Sequence, residues 1–135
     1  MNDYNKELQK LSIGLPIFNG ELFIRQAIKS ILAQTFTNFE LIISDNASTD
    51  STREICEKFA KQDNRIRYFR QESNIGIHKN FNFVLKQAKN EYFAWAAVDD
   101  HLDDDYMEKN IKVLESDKKI VSSVGKIIPI GTESL

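Results

Sequence analysis

The sequence predicts an α/β domain with a mostly parallel sheet flanked by helices. Five short apolar segments alternate with four segments whose hydrophobic residues recur every three or four positions. Short apolar runs are typical of buried strands, and hydrophobic residues that recur every three or four positions are typical of amphipathic helices. Their alternation indicates right-handed β-α-β crossovers within one sheet. The 135 residues fit a single domain, with a core over about 11–130.

The five predicted strands are short and rich in aliphatic, β-branched and aromatic residues. They lie at 11–17 (LSIGLPI), 39–44 (FELIIS), 66–71 (IRYFRQ), 91–98 (EYFAWAAV) and 119–130 (KIVSSVGKIIPI). In the fourth, Trp95 alternates with Phe93. This period of two predicts that Trp95 lies in the core.

Four amphipathic helices are predicted between and after the strands. The first spans 21–34, the second begins with the capping box at 51–54, the third contains 81–88, and the fourth spans 103–116. Cys56 lies on the apolar stripe of the second helix and is expected to be an inert buried thiol. Asp103, Asp104 and Asp105 open the fourth helix, where negative charge is favourable against the helix dipole, so a capping role is expected.

Composition narrows the classes of partner and compartment. The net charge of −2 gives no global basic surface, so nucleic acid is not an expected partner. A single cysteine forms no internal disulfide, which favours a reducing, cytoplasmic setting. No apolar run is long enough to span a bilayer, and MNDYNKELQK lacks the apolar region of a signal peptide. Peripheral membrane association stays open.

Four polar segments follow the first four strands: PIFNG, SDNASTD, QESNIGIHK and VDDHLDDD. Ligands of open α/β sheets bind beyond the carboxyl ends of the strands, so these loops are expected to share one functional edge. The glycine patterns of dinucleotide and phosphate loops are absent, as are an EF-hand, a Cys/His zinc cluster and a G-x-S-x-G elbow.

After these exclusions, the remaining class of site is one in which carboxylates bind a hard cation. Asp99 and Asp100 directly follow the fourth strand. Mg²⁺ and Mn²⁺ prefer oxygen ligands and often take one or two carboxylates together with phosphate oxygens of a substrate. A solvated acidic loop explains the pair about equally well.

The order of the motifs is more specific than any one of them. The string IGLPIFNGELFIRQAIKSILAQTFTNFELIISDNASTDST, followed by N-x-G and EYFAWAAVDDH, resembles the family-2 glycosyltransferases of the GT-A fold. The resemblance covers residues 11 to about 116. It implies a Rossmann-like nucleotide-diphospho-sugar transferase fold and a divalent cation, Mn²⁺ or Mg²⁺.

The resemblance also implies roles for individual residues. The turn Pro16, Ile17, Phe18 and Asn19 would border the nucleotide base, and Asp45 would accept a hydrogen bond from the N3–H of uracil or an analogous base edge. Asp99 would face the ribose or share the cation, and Asp100 would be the principal metal ligand. The alternatives are a core position for Phe18 and a turn cap for Asp45.

Three departures from the family pattern matter. Ala97 replaces the first acidic residue of the usual D-x-D-D motif. GIHKN stands where the motif A-R-N often supplies an arginine near the phosphates, so Lys79 or His78 would take the place of that arginine. His101 is expected to be a partly exposed loop residue rather than a ligand. Family members usually continue into an acceptor-binding half that carries the catalytic base. This half is expected beyond the chain, leaving the apolar KIIPI exposed and favouring a homo-oligomer.

The function implied is an inverting glycosyltransferase acting in polysaccharide or cell-envelope glycan synthesis. It would transfer a sugar from a nucleotide-diphosphate donor, with a UDP-sugar favoured, to a carbohydrate or lipid-linked acceptor. The alternative is a non-catalytic nucleotide- and metal-binding module that acts with a partner. A phosphoacceptor domain ranks last, because the third strand ends in IRYFRQES without the aspartate that this class needs.

Overall fold

The computed structural model describes residues 9–126, in which four strands alternate with four helices. The elements are β1 (Leu11–Ile17), α1 (Ile24–Leu32), β2 (Phe39–Asp45), α2 (Thr52–Gln62), β3 (Ile66–Arg70), α3 (Ile77–Gln87), β4 (Tyr92–Trp95) and α4 (Tyr106–Ser116). The predicted α/β class and the order of these eight elements are confirmed. No helix within the described residues is long and apolar enough to cross a bilayer.

The four strands form one parallel sheet in the order β3-β2-β1-β4. Pairing of β1 with β2 runs from Leu11 opposite Phe39 to Ile17 opposite Asp45. Because all strands run in the same direction, their carboxyl ends lie at one edge of the sheet. This topology places the end of β1 between the end of β2 and the residues that follow β4.

The main hydrophobic core lies on the face of the sheet covered by α1, α2 and α4. Alternate positions of β1 and β2 point to this face. The buried side chains of the cluster are Leu11, Ile13, Leu15, Ile17, Ile24, Ile28, Ile31, Phe39, Leu41, Ile43, Cys56, Ile66, Ala96, Met107 and Ile111. The opposite face is covered by α3, which packs over β1 and β2 and brings Val84 against Gly14.

Gly14 leaves just enough room for α3 to approach the sheet. A Cβ at this position would stand 2.5 Å from a methyl of Val84 and 2.7 Å from the ring of Phe93. We expect Gly14→Ala to lower the free energy of unfolding by about 1–3 kcal/mol, since overpacking forces these side chains to shift. Urea denaturation measures the change. Gly76→Ala is not a suitable control, because Gly76 has a φ of 86°. Ala33→Gly at the end of α1 is the control. A Gly14→Ala variant as stable as wild type would contradict the close packing of α3 on the sheet.

A charged group is buried on the α3 side of the sheet. Glu40 accepts hydrogen bonds from Ser12 Oγ at 2.7 Å, from Arg67 Nη1 at 2.9 Å and from the Lys89 amide at 3.1 Å. Burial opposes ionisation of Glu40, but these three donors outweigh it and hold the pKa of its carboxyl below the ordinary value. The Glu40 cluster thereby ties β1, β2, β3 and the end of α3 together.

The predicted fifth strand at 119–130 is wrong over the part that the structure describes. Residues 119–126 form no strand, and 127–130 lie outside the described residues. Ser123 Oγ instead donates to Asn110 Oδ1 of α4 at 2.7 Å. Val121 and Val124 are exposed, so the apolar side chains at these positions are not buried against the sheet.

Trp95 is not in the core, contrary to the prediction. Its side chain is 45% exposed and packs against Phe81 and Phe93, with ring centroids 4.9 and 4.7 Å away. Since β4 is the edge strand and α3 is centred over β1 and β2, the helix covers only part of the last residue of β4.

Helix starts differ from those predicted. Because α4 begins at Tyr106, Asp103 and Asp104 precede the helix, and Asp105 at the N-cap makes no side-chain capping bond. Their backbone carbonyls act instead: Asp103 accepts from Gln34 Nε2 and Asp104 from the Thr35 amide, both at 2.8 Å. The expected capping role of these carboxylates is therefore wrong.

Candidate functional site

The turn after β1 and the loop after β2 are joined by hydrogen bonds at the carboxyl edge of the sheet. The Asn19 amide donates to Ser48 Oγ at 2.9 Å, and the Thr49 amide donates to Asn19 Oδ1 at 2.8 Å. Asn19 has a φ of 49°, a left-handed conformation that asparagine tolerates better than most residues. The PIFNG turn thus has a fixed position beside the SDNASTD loop.

The side chains of this turn have different surroundings. Ile17 is buried in the core cluster and Pro16 is partly buried. Phe18 is 49% exposed, which rules out the alternative that it is a core aromatic. Its exposed ring lies at the edge where the sequence predicts a base-binding turn.

Asp45 ends β2 with a completely buried carboxylate that has three donors. The Ser48 amide donates to Oδ1 at 2.8 Å, while the Tyr68 hydroxyl and Arg70 Nη1 donate to Oδ2 at 2.7 and 2.9 Å. The Arg70 guanidinium compensates the buried negative charge. A carboxylate has about four acceptor positions, so the Oδ1 oxygen keeps one.

Tyr68 and Arg70 are partners of Asp45 that sequence reasoning missed. Burial, and then the hydrogen bond to Asp45, raises the pKa of the Tyr68 hydroxyl, which therefore donates a proton to the carboxylate throughout the neutral range. Arg70 Nη2 also donates to the Ser48 carbonyl at 3.0 Å. The alternation in IRYFR places Tyr68 and Arg70 on one face of β3, and this spacing was the available signal.

Cys56 lies in the core near this carboxylate, as expected of a buried thiol. Burial, and then the negative charge of Asp45, raises the pKa of the thiol from 9.0 to about 12. A thiol that stays protonated is a poor nucleophile, so Cys56 has no catalytic role at neutral pH.

The raised thiol pKa makes stability depend on pH in the alkaline range. The unfolded chain loses the Cys56 proton near the ordinary value of 9.0, whereas the native protein retains it up to about 12. The native state then binds more protons than the unfolded state, so this contribution to stability falls as pH rises across that interval. We expect urea midpoints at pH 8 to 10 to fall less steeply for Cys56→Ala than for wild type. Parallel slopes would contradict a buried, protonated thiol.

Asn46 joins three loops and was also missed. The backbone amide of Asn46 donates to the Ile17 carbonyl at 2.8 Å. Its side-chain Nδ2 donates to Asn74 Oδ1 at 2.9 Å, and its Oδ1 accepts a hydrogen bond from the Ile75 backbone amide at 2.8 Å. The buried carboxamide therefore fixes the N-x-G loop against the ends of β1 and β2. This loop leads directly into α3.

His78 and Lys79 are not loop residues, contrary to the prediction. Helix α3 begins at Ile77, after Gly76 with a φ of 86°, so both lie in its first turn. Both side chains are exposed. A positive side chain near the helix start, close to the N-x-G loop, can meet an anion that approaches the carboxyl edge.

Asp99 and Asp100 line a cleft of about 220 Å³ beside the start of α1. The other lining residues are Phe23, Gln26, Ala27, Val98 and His101. Asp100 closes a turn, because its amide donates to the Ala97 carbonyl at 3.2 Å and its Oδ2 accepts the Ala97 amide at 3.4 Å. Both carboxylates are exposed, so each has acceptor positions available to a ligand.

These carboxylates suit one kind of metal site. Among residues 9–126, no three histidine, cysteine, aspartate or glutamate side chains are placed to hold a metal ion together. A cage made only of protein ligands is therefore not formed in this region. With phosphate substrates, Mg²⁺ and Mn²⁺ commonly bind one or two carboxylates and leave most of their coordination positions to water and substrate oxygens. Asp99 and Asp100 fit this pattern.

The sequence matches known proteins over most of its length. The family model described as glycosyl transferase family 2 matches residues 12–133. The chain is 35% identical over 112 residues to the glycosyltransferase GlyG of Streptococcus pneumoniae serotype 4, covering 82% of this chain and 37% of the relative. It is 38% identical over 96 residues to the GalNAc(5)-diNAcBac-PP-undecaprenol β-1,3-glucosyltransferase of Campylobacter jejuni, covering 70% of this chain and 31% of that enzyme.

Solved structures show the same fold. S. aureus TarS 1-349 in complex with UDP-GlcNAc has a TM-score of 0.73 at 29% identity, over 79% of this chain and 31% of that one. The mannosyltransferase PcManGT from Pyrobaculum calidifontis, in complex with GDP-Man and Mn²⁺, has a TM-score of 0.72 at 20% identity, over 78% of this chain and 32% of that one. The present chain spans about a third of the length of these proteins. Its architecture is that of GT-A transferases, and the chain belongs to glycosyl transferase family 2.

Proposed function

We propose that the protein transfers a sugar, with inversion, from a nucleotide-diphosphate donor to a carbohydrate or lipid-linked acceptor in polysaccharide or cell-envelope glycan synthesis. The observation that carries the proposal is the arrangement at the carboxyl edge, where the PIFN turn, Asp45 and the Asp99–Asp100 pair follow three adjacent strands. Two similar proteins support it: the TarS structure contains UDP-GlcNAc, and the Campylobacter relative is named for a PP-undecaprenol-linked substrate. A UDP-sugar is the favoured donor.

The nucleotide base would lie over the turn from Pro16 to Asn19, with the exposed Phe18 ring against it. Asp45 would accept the ring N–H of the base at the free position of Oδ1. Because the carboxylate is fully buried, a neighbouring side chain has to move first. Arg70 is the neighbour that can do so, since its side chain is 31% exposed and reaches Asp45 from the surface.

Asp99 and Asp100 would hold Mn²⁺ or Mg²⁺, with Asp100 as the principal ligand and Asp99 shared with the ribose. A bound divalent cation supplies charge neutralisation for a departing diphosphate. The turn that Asp100 closes with Ala97 orients the Asp100 side chain. Lys79, in the first turn of α3, would add a positive charge for the phosphates.

The acceptor hydroxyl needs a base, and no residue between 9 and 126 is assigned that role. A second candidate function is therefore a nucleotide- and metal-binding module that acts with a partner. Both candidates require the same donor site, and they differ in whether the 135-residue chain transfers sugar. We also propose that the protein is cytoplasmic, forms a homo-oligomer and associates peripherally with a membrane.

Calorimetric titration with UDP, GDP and dTDP, each with and without Mn²⁺, tests the donor site. We expect one nucleotide, UDP, to bind at least tenfold more tightly with Mn²⁺ than without it. A wild-type protein that binds none of the three in the presence of Mn²⁺ would overturn the proposed function. Release of UDP from a UDP-sugar in the presence of acceptors then separates the transferase from the binding module.

A further inference from the structure

Gln34 lies just after α1 and joins this helix to the segment that carries the acidic pair. We propose that Gln34 is a positioning residue for the metal site, because it fixes the end of the backbone segment that presents Asp99 and Asp100 to the cation. This inference rests on the proposed donor site and deepens it. It assigns a role in cation binding to a residue that does not line the cleft.

Both ends of the Gln34 carboxamide make hydrogen bonds to the start of α4. Nε2 donates to the Asp103 carbonyl at 2.8 Å, and Oε1 accepts from the Met107 amide at 3.0 Å. Gln34 is 2% exposed, so water does not compete for either bond. The amides in the first turn of a helix lack intrahelical partners, and Asp105 at the N-cap makes no side-chain bond to them. Gln34 therefore caps α4 from a position that follows α1.

The backbone around the acidic pair is held to the rest of the domain at two ends. At the first, the Ala96 amide donates to the Gly14 carbonyl at 2.9 Å, next to the last pair of β4 with β1. At the second, Gln34 and the backbone amide of Thr35 bind the turn before α4. Residues 97–102, which include the acidic pair, lie between these two ends.

The contacts within this segment leave the direction of the carboxylates to its two ends. The turn between Asp100 and Ala97 is internal to the segment, so it does not orient the segment against the sheet. Ser30 Oγ reaches the Leu102 carbonyl only at 3.5 Å, a distance at which a hydrogen bond is weak. Val98 and Leu102 pack against the core, but apolar contacts are not directional. The two buried bonds of the glutamine therefore set how the acidic pair faces the cleft.

A cation that takes two carboxylates from the protein depends on how they are directed. Mg²⁺ requires near-octahedral geometry with ligand distances of about 2.0–2.1 Å, so a small displacement of the segment weakens the site. Loss of a residue that hydrogen-bonds a metal ligand directly costs about 10–100-fold in metal affinity. Gln34 acts one step further away, on Asp103, so the expected loss is smaller, about three- to tenfold.

Two substitutions remove different parts of this link. Gln34→Met has a similar volume and removes both hydrogen bonds, whereas Gln34→Glu keeps the acceptor for Met107 and removes the donor to Asp103. Because the added negative charge of glutamate favours a cation, a loss of Mn²⁺ affinity in Gln34→Glu is not an effect of charge. Gln34→Glu also keeps the test available if loss of both bonds prevents folding.

Thr35→Val is the matched control. It removes the neighbouring side-chain bond to α4, from Thr35 Oγ1 to Glu108 at 3.1 Å, and leaves the Thr35 amide bonded to the Asp104 carbonyl. Urea denaturation of each variant identifies conditions in which wild type and variants are all folded. Calorimetry with UDP, with and without Mn²⁺, and amide hydrogen exchange are then measured in those conditions.

We expect the Met107 amide to exchange about tenfold faster in Gln34→Met than in wild type, because its buried acceptor is gone. The factor by which Mn²⁺ raises UDP affinity should fall about three- to tenfold in both Gln34 variants. UDP affinity without Mn²⁺ should stay within about twofold of wild type, since Asn19 and Asp45 are held by other contacts. Thr35→Val should match wild type in all three measurements.

Faster exchange at Met107 with a full Mn²⁺ effect on UDP affinity would show that Gln34 stabilises α4 alone. That result would overturn the positioning role and leave the donor site standing. An equal loss of UDP affinity with and without Mn²⁺ would overturn the role too, because a general weakening of the fold acts on both. So would a loss in Thr35→Val as large as in the Gln34 variants. A wild type whose UDP binding does not depend on Mn²⁺ removes the proposed metal site and this inference with it.

Discussion

Asp100→Ala should abolish the Mn²⁺-dependent part of nucleotide binding. Among the described residues that line the cleft, only Asp99 and Asp100 carry carboxylates, and the cation would depend on these and on the substrate for its oxygen ligands. Even residues that merely orient metal ligands cost about 10–100-fold in metal affinity when mutated, so loss of the principal ligand should cost at least as much. Calorimetry with UDP and Mn²⁺ measures the change. In the absence of Mn²⁺, the variant should bind UDP slightly better than wild type, because one negative charge is removed.

Asp104→Ala is the control for that charge. Asp104 is exposed, lies four residues further along the chain, and contributes its backbone carbonyl to the fold. It should reproduce the small general effect of losing one negative charge without losing the Mn²⁺ dependence. If Asp100→Ala retained the full Mn²⁺ enhancement, the metal would be bound elsewhere, and the acidic segment would be a solvated loop.

The strands of the sheet were predictable because each carries its own signal. LSIGLPI and FELIIS are buried along nearly their whole lengths, and a continuous apolar run is the pattern of a strand covered on both faces. The boundaries of 11–17 are those observed, and β2 extends one residue past 39–44 to include Asp45. Apolar content therefore determines where these strands lie without any knowledge of their neighbours.

Edge position carries no signal in the sequence, and the predictions that depended on it were wrong. Trp95 alternates with Phe93 as a core residue would, but the strand order leaves the α3 side of β4 only partly covered. The segment 119–126 contains the apolar residues Ile120, Val121 and Val124, but a strand also needs a ladder partner, and none of the described residues supplies one. Both errors come from tertiary context overriding a local pattern.

The site was predictable in its location and less so in its contacts. The rule that ligands bind beyond the carboxyl ends of strands placed Asp45, Asn19 and Asp99 at one edge, where the structure has them. The donors to Asp45 come from Tyr68 and Arg70, 23 and 25 residues further along the chain. Their approach depends on the pairing of β3 with β2, which sequence pattern alone does not determine.

Asp45→Ala should lower the free energy of unfolding by about 2–5 kcal/mol, because two donors inside the fold lose their acceptor at a cost of about 1–3 kcal/mol each. Removal of the carboxylate leaves the Ser48 amide and the Tyr68 hydroxyl without their acceptor, whereas the Arg70 guanidinium, 31% exposed, can turn toward water. A loss of this size is a large fraction of the about 5–15 kcal/mol that holds a domain folded. Urea denaturation at pH 7 measures it.

Asp63→Ala is the matched control. Asp63 also pairs with an arginine, Arg65 at 2.8 Å, but the two side chains are each 22% exposed and the residues are two positions apart. Because water screens this pair and can replace the lost partner, the loss should be within about 1 kcal/mol. Equal losses for Asp45→Ala and Asp63→Ala would show that the Asp45 cluster contributes no more than a surface pair.

Tyr68→Phe separates the stability of the cluster from its use in binding the base. It removes one donor and leaves Asp45 paired with Arg70, so the expected loss of stability is about 1 kcal/mol. With the Tyr68 hydroxyl gone, the carboxylate has one donor fewer and is a stronger acceptor at the free position of Oδ1, so UDP affinity should rise if Asp45 accepts a base N–H there. If the carboxylate serves only the fold, Tyr68→Phe should leave UDP affinity unchanged or lower it in step with stability. The sign of the change in UDP affinity therefore distinguishes the base-binding role of Asp45 from a purely structural one.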